Sequence, residues 1–85
     1  MTCTAHLADE LRARGFRITP QRRAILAFLH DTPGHFSPAE IFTHVRRLVP
    51  GVTEPTVYRT LEFLSANGMV SASLLRDGHL VYEDA

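Results

Sequence analysis

SPAEIFTHVRRLVPGVTEPTVYRTLEFLSANG, residues 37–68, holds two helical patterns back to back. Ser37-Pro38-Ala39-Glu40 is a capping box. The serine accepts from the third residue's amide, Glu40 reaches back to the serine's amide, and proline takes the first helical position, where its missing N–H costs nothing. Ile41, Val45 and Leu48 follow at i, i+4 and i+7, which assigns them to one buried stripe. Pro50-Gly51 closes that helix. Thr53 opens another over about Glu54 to Asn67, with Val57, Leu61 and Leu64 along its inner face. Gly68 follows at the position past a helix end where glycine is favoured. Only Pro50 to Thr53 separates the two. Amphipathic helices joined by so short a turn form a helix-turn-helix.

Working upstream, Thr19-Pro20 caps and starts a helix whose apolar face is Ile25, Leu26 and Leu29, widened by Phe28. Asp31-Thr32-Pro33-Gly34 stops it. Residues 5–14 read as a further short helix, capped by Thr4, with Leu7 and Leu11 sharing a face and Gly15 ending it. Downstream of Gly68 the period changes from about 3.6 to 2. Val70, Ala72 and Leu74 alternate with Ser71 and Ser73. Asp77-Gly78 supplies a tight turn, and Leu80 and Tyr82 then alternate with His79 and Glu83. An isolated hairpin is marginal in water, so this one must pack on the helices. The predicted fold is mainly α with a small antiparallel hairpin: a winged helix-turn-helix.

The 85 residues make one small domain, 1–85, and they bound its chemistry. A single cysteine, Cys3, can neither form an internal disulfide nor complete a thiolate zinc site alone. No apolar run approaches the roughly 20 residues that cross a bilayer. The N-terminus lacks a basic start followed by an apolar stretch, so the expectation is a cytoplasmic protein with no membrane partner. Net charge is zero, which taken alone argues against nucleic acid, but the charge is unevenly spread. Residues 1–30 carry five arginines against two acids, and residues 31–85 four against seven. Every basic residue is arginine, whose planar fork suits phosphates and base edges.

Thr53-Glu54-Pro55-Thr56-Val57-Tyr58-Arg59-Thr60-Leu61 resembles the recognition-helix signature T-V-Y-R-T-L of the ferric uptake regulator (Fur) family. Four other stretches look like that family in the same order: Gly15 to Arg22, His35 to Phe42, Asn67 to Val70, and Val81 to Glu83. Any one would be weak; five in order, from about Leu11 to Glu83, are specific. The resemblance implies the N-terminal half of a metal-responsive repressor. Such a protein binds a double-stranded DNA operator and forms a homodimer through a C-terminal domain that these 85 residues would not include.

The residues themselves suit that role. With Val57 facing inward, Tyr58 and Arg59 lie about 100° and 200° round the helix, near its N-terminal end. Recognition helices present early residues to base edges in the major groove. Arg59 can donate two hydrogen bonds to guanine or to a phosphate. Tyr58 offers a ring for a thymine methyl and a hydroxyl for a phosphate, and Thr56 can reach a phosphate or a base edge. The resemblance makes Tyr58 and Arg59 the principal readers. It also sends Arg17 to a minor groove or the backbone and matches Arg22 to a phosphate-contacting position. Without it, an ion pair of Arg59 with Glu62 or Glu54 would be the plainer reading. Arg12 and Arg14 are expected to be solvated, Arg46 and Arg47 to suit a helix C-terminus, and Arg76 sits at the wing tip, where a phosphate or solvent is its partner.

For metal, the resemblance picks out His35 and Glu83 as two ligands of an incomplete site. Imidazole and carboxylate suit zinc or iron, with manganese or nickel as further choices in the full-length protein. Structural zinc wants four ligands, so no tightly bound cofactor is expected in these residues alone. His30, His44 and His79 are expected to be structural or solvated. Three competing readings remain in view: a winged helix of another regulator class, one that binds protein rather than DNA, and an enzyme. The last has no visible nucleophile–base pair or phosphate-binding glycine loop.

Overall fold

The computed structural model describes residues 9–85. The expectations placed on Cys3, Thr4 and Leu7 lie outside the described residues. In chain order the elements are α1 (residues 9–13), α2 (Pro20–Asp31), α3 (Pro38–Leu48), α4 (Glu54–Ala66), β1 (Val70–Leu74) and β2 (Leu80–Asp84). Four helices followed by a two-stranded antiparallel sheet make the winged helix predicted. No helix among the described residues is long and apolar enough to cross a membrane.

The caps form as their residues dictate. Thr19 accepts from the Arg22 amide at 3.2 Å, and Thr53 accepts from the Thr56 amide at 3.4 Å. The capping box at α3 is complete, with Glu40 N–H to Ser37 Oγ at 3.1 Å and Ser37 N–H to Glu40 Oε1 at 2.9 Å. Glu40's carboxyl is held below its ordinary range, first by the Ser37 amide and next by the Ser37 hydroxyl. At the end of α4, Gly68 takes φ +73°, and the amide of Met69 reaches back to the Leu64 carbonyl at 2.9 Å. That left-handed residue turns the chain from helix into β1 and seats Met69 on the core.

The core gathers the inner stripes of the helices. Leu11, Ile25, Ile41, Val45, Val57, Leu61 and Leu64 are all fully buried. Burying each such side chain contributes about 1.5–3 kcal/mol relative to leaving it in water. Leu48 departs from the prediction and is 69% exposed. It is the last residue of α3, on the rim of a hollow between the C-terminal ends of α2 and α3 where no further element among the described residues lies over it. Phe42 and Val49 pack against the core instead.

The hairpin also departs from simple alternation. In β1 only Val70 is buried, while Ala72 and Leu74 face solvent. In β2 the neighbours Val81 and Tyr82 are both buried and Leu80 is exposed. Consecutive strand residues point to opposite faces, so β2 is covered on both sides at its middle, while the distal half has no helix to lie on. The turn is shifted by one residue from the reading of Asp77-Gly78 as its centre. The Gly78 amide donates to Leu75 O at 3.0 Å, and the Leu75 amide to His79 O at 2.8 Å. Arg76-Asp77 are thus the central residues, and Gly78, at φ +89°, follows as the left-handed bulge. Asp77 keeps a negative φ, which excludes the two-residue mirror-image turn.

One contact was not expected. Phe36, in the loop before α3, pairs with Tyr82 as an isolated antiparallel bridge, with N–H···O distances of 2.9 and 2.8 Å. It adds a one-residue third strand beside β2 and ties the hairpin to the loop between α2 and α3.

Candidate nucleic-acid interface

The outer face of α4 is set by its inner one. Val57, Leu61 and Leu64 are fully buried, so Tyr58 and Arg59 stand outward in the first turns, Tyr58 with 47% of its surface exposed. Arg59 makes no ion pair with Glu54, Glu62 or any other acid among the described residues. The ion-pair alternative for Arg59 is therefore not what the structure forms. Thr56 is half-buried, and its hydroxyl lies 3.0 Å from that of Thr53. Thr60, which faces inward, donates to the Thr56 carbonyl at 2.7 Å.

Two other segments frame this face. On one side Tyr58 lines a cleft with Pro38 and Ala39 at the start of α3 and with Leu75, Leu80 and Val81 of the hairpin. Tyr82, the buried neighbour of Val81 in β2, has its phenol pKa raised, chiefly by burial and then by Glu62 and Tyr58. On the other side stands the loop from Gly15 to Thr19. Phe16 meets Phe63 of α4 edge-on, ring centroids 4.8 Å apart at 89°. Arg17 beside it is exposed. Phe63 follows Arg59 by four residues and so shares its stripe.

The remaining arginines divide by partner. Arg22 is held within the protein: Nη1 donates to the Arg17 carbonyl at 2.8 Å, and the guanidinium lies 3.9 Å from the centre of the Phe63 ring. Arg14 is exposed, as expected, and in addition donates to the Asn67 carbonyl and pairs with Glu10 at 2.8 Å, bridging α1 to the end of α4. Helix C-termini leave carbonyls without partners, and an arginine within reach takes one. Arg12 pairs with Asp9 at 3.1 Å on the open surface, where such a bridge contributes little. Arg46 lies 5.9 Å above the Phe42 ring. Arg76 sits exposed in the hairpin turn.

The bridge between Phe36 and Tyr82 also bears on His35 and Glu83. In an antiparallel pairing the residue before one partner faces the residue after the other, so this bridge sets His35 across from Glu83. The other histidines are engaged elsewhere: His30 Nδ1 lies 3.0 Å from Asp84, His79 Nδ1 lies 2.9 Å from Asp77, and His44 stacks on Phe28 at 4.5 Å. No group of three or more histidine, cysteine, aspartate or glutamate side chains converges among the described residues.

Residues 13–85 match the Ferric uptake regulator family. The chain is a member of that family. The Ferric uptake regulation protein of Synechococcus elongatus is 35% identical over 86 residues, which cover 98% of this chain and 58% of that protein. A structure describing peroxide sensing and gene regulation by PerR from Streptococcus pyogenes superposes with a TM-score of 0.87 at 26% identity, over 99% of this chain and 58% of that one. The ferric uptake regulator of Pseudomonas aeruginosa, solved with manganese, superposes at 0.79 with 32% identity, over 91% of this chain and 58% of that one. This Fur-family chain thus spans little more than half the length of these relatives. Membership sets aside a winged helix of an unrelated regulator class.

Two features of the site escaped the sequence reading. Phe63 has a visible signal, a large aromatic on the outward stripe of Thr56 and Arg59. The bridge from Phe36 to Tyr82 has none, because a single strand residue leaves no period.

Proposed function

We infer that this chain is the operator-binding part of a Fur-family transcriptional repressor, with α4 seated in the DNA major groove. The observation that carries the reading is the exposed pair Tyr58 and Arg59 at the start of a helix whose opposite face is wholly buried. Arg59 reads a guanine edge or a phosphate, and Tyr58 a thymine methyl. Thr56 meets the backbone or a base edge at the helix N-terminus. Arg17 reaches the adjoining groove or phosphates. The zero net charge is no obstacle, because a recognition face needs local rather than global positive charge.

The same reading makes the full-length protein metal-responsive and dimeric, as an assembly longer than these residues. His35 and Glu83, set across from each other, fit two positions of a zinc, iron or manganese site. Two donors are too few for tight binding, so the remaining ligands come from elsewhere in the longer regulator. The metal would supply a charge-dense bridge that fixes the hairpin base and the Phe36 loop relative to that other part. His35 would offer an imidazole nitrogen and Glu83 a carboxylate oxygen.

The test is selection of bound duplexes from a random-sequence pool by the wild-type chain, followed by anisotropy titration of the selected duplex. A preferred sequence emerges, and Arg59→Ala weakens binding to it by about 1–3 kcal/mol and relaxes the preference. Equal affinity of Arg59→Ala and the parent for that duplex would refute the assignment.

A further inference from the structure

Resting on the DNA-binding reading, we propose that Arg22 is a positioning residue that clamps the Arg17 loop to the recognition helix, rather than a phosphate ligand. The guanidinium has donors around its edge and a flat face for stacking, and both are engaged. One edge donates to the Arg17 carbonyl at 2.8 Å, and the group lies 3.9 Å from the Phe63 ring centre. The Phe63 ring also receives Phe16 edge-on at 4.8 Å.

These four residues close a circuit across three parts of the chain. Arg22 belongs to the first turn of α2, Phe63 to α4, and Phe16 and Arg17 to the loop between α1 and α2. Arg17 is therefore pinned on both sides, through its own carbonyl and through the ring before it, while its side chain stays exposed. Phe63 lies one turn beyond Arg59, so the clamp holds Arg17 and Arg59 at a set spacing. Residues 16–19 have no helix or strand to order them. Released from the clamp, they would have to be ordered at the moment of binding, at an entropic cost.

A phosphate ligand and a clamp respond differently to substitution. Lysine keeps the charge and can meet a phosphate, but it has no planar face for Phe63 and no fork for the Arg17 carbonyl. Direct phosphate contacts also appear in the salt dependence of binding, at roughly one unit of slope each.

The experiment measures dissociation constants by fluorescence anisotropy over a series of KCl concentrations. The probe is the duplex selected by the wild-type chain from a random pool. The variants are Arg22→Lys, Arg22→Met and Phe63→Leu, each alone and combined with Arg17→Ala, with thermal unfolding followed in parallel. Each single variant weakens binding roughly tenfold, the effect of re-ordering about one backbone residue. The salt slope of Arg22→Met stays that of the parent. In the Arg17→Ala background none of the three weakens binding further. Phe63→Leu changes no charge, so its loss cannot come from a missing phosphate contact, and it decides the matter if an Arg22 variant fails to fold. Parental affinity in Arg22→Lys overturns the proposal. So does a lowered salt slope in Arg22→Met, or a loss in any variant that multiplies with that of Arg17→Ala. If the wild-type chain selects no duplex, the DNA-binding reading itself falls, and the clamp's role with it; the other outcomes remove the clamp alone.

Discussion

Along α4, Val57, Leu61 and Leu64 are fully buried, whereas in the hairpin β1 buries only Val70, and Leu74 at its far end keeps 72% of its surface in water. The helices pack stripe against stripe, so each inner side chain is constrained from several directions. The hairpin is held near its base, through Val70, Tyr82 and the bridge to Phe36, and its tip leans on little. Sensitivity to substitution should therefore fall steeply from the helical core to the wing tip. α4 sits on the rigid side of that gradient, and His35 and Glu83 sit at its boundary.

Leu61→Ala is the hardest test of the rigid side. It should cost about 2–5 kcal/mol, measured by chemical denaturation, because the void left at a fully buried site collapses only in part. A loss below 1 kcal/mol would mean that the helical core is looser than its packing implies. Ser37→Ala comes next, removing the cap of α3 for roughly 0.5–2 kcal/mol by the same measurement.

That capping box also carries a pH signature. Glu40's carboxyl is held below its ordinary value of 4.5, so its folded-state pKa lies under the unfolded one. The charged form is the favoured partner of Ser37. The contribution is complete at neutral pH and is lost as pH falls through the folded-state value. Denaturation of the parent and of Glu40→Gln at neutral and at acid pH should show a smaller acid loss in the variant, and equal losses would remove the box from the account.

At the boundary, a full-length protein with His35→Ala and Glu83→Ala should keep its fold and lose its metal-dependent change in operator affinity. An unchanged metal response in anisotropy titrations with and without added zinc or manganese would separate these residues from the sensor. At the tip, Leu74→Ser should shift stability by no more than about 0.5 kcal/mol. A larger drop in thermal unfolding would show that the wing is held along its whole length.

Much of the fold is legible because its signals are local. Caps, the prolines at helix starts and the spacing of Ile41, Val45, Val57, Leu61 and Leu64 report what a few neighbouring residues prefer, and these preferences survive folding. Legibility fails where burial depends on what lies opposite. Leu48 fits its stripe by spacing, yet α3 ends where nothing among the described residues covers it. Ala72 and Leu74 fit a buried strand face, yet the hairpin extends past the helices. The outward placement of Tyr58 and Arg59 could be derived from Val57 alone, because a helix fixes angles between neighbours. The partners of Arg14 and Arg22 could not, since they lie far along the chain or depend on how a loop folds back.

What the amino-acid order determined unaided, then, is where α2, α3 and α4 begin and end, to within a residue, which side of α4 turns outward, and membership of a family through five short motifs in register. Only tertiary structure decided that Phe36 bridges to Tyr82 and so sets His35 across from Glu83, that the wing tip stands clear of the helices, and that Arg22 is occupied by Arg17 and Phe63. The physical reason is range: helix geometry and capping act over three or four residues, whereas each of these contacts is chosen by shapes and donors brought together from distant parts of the folded chain.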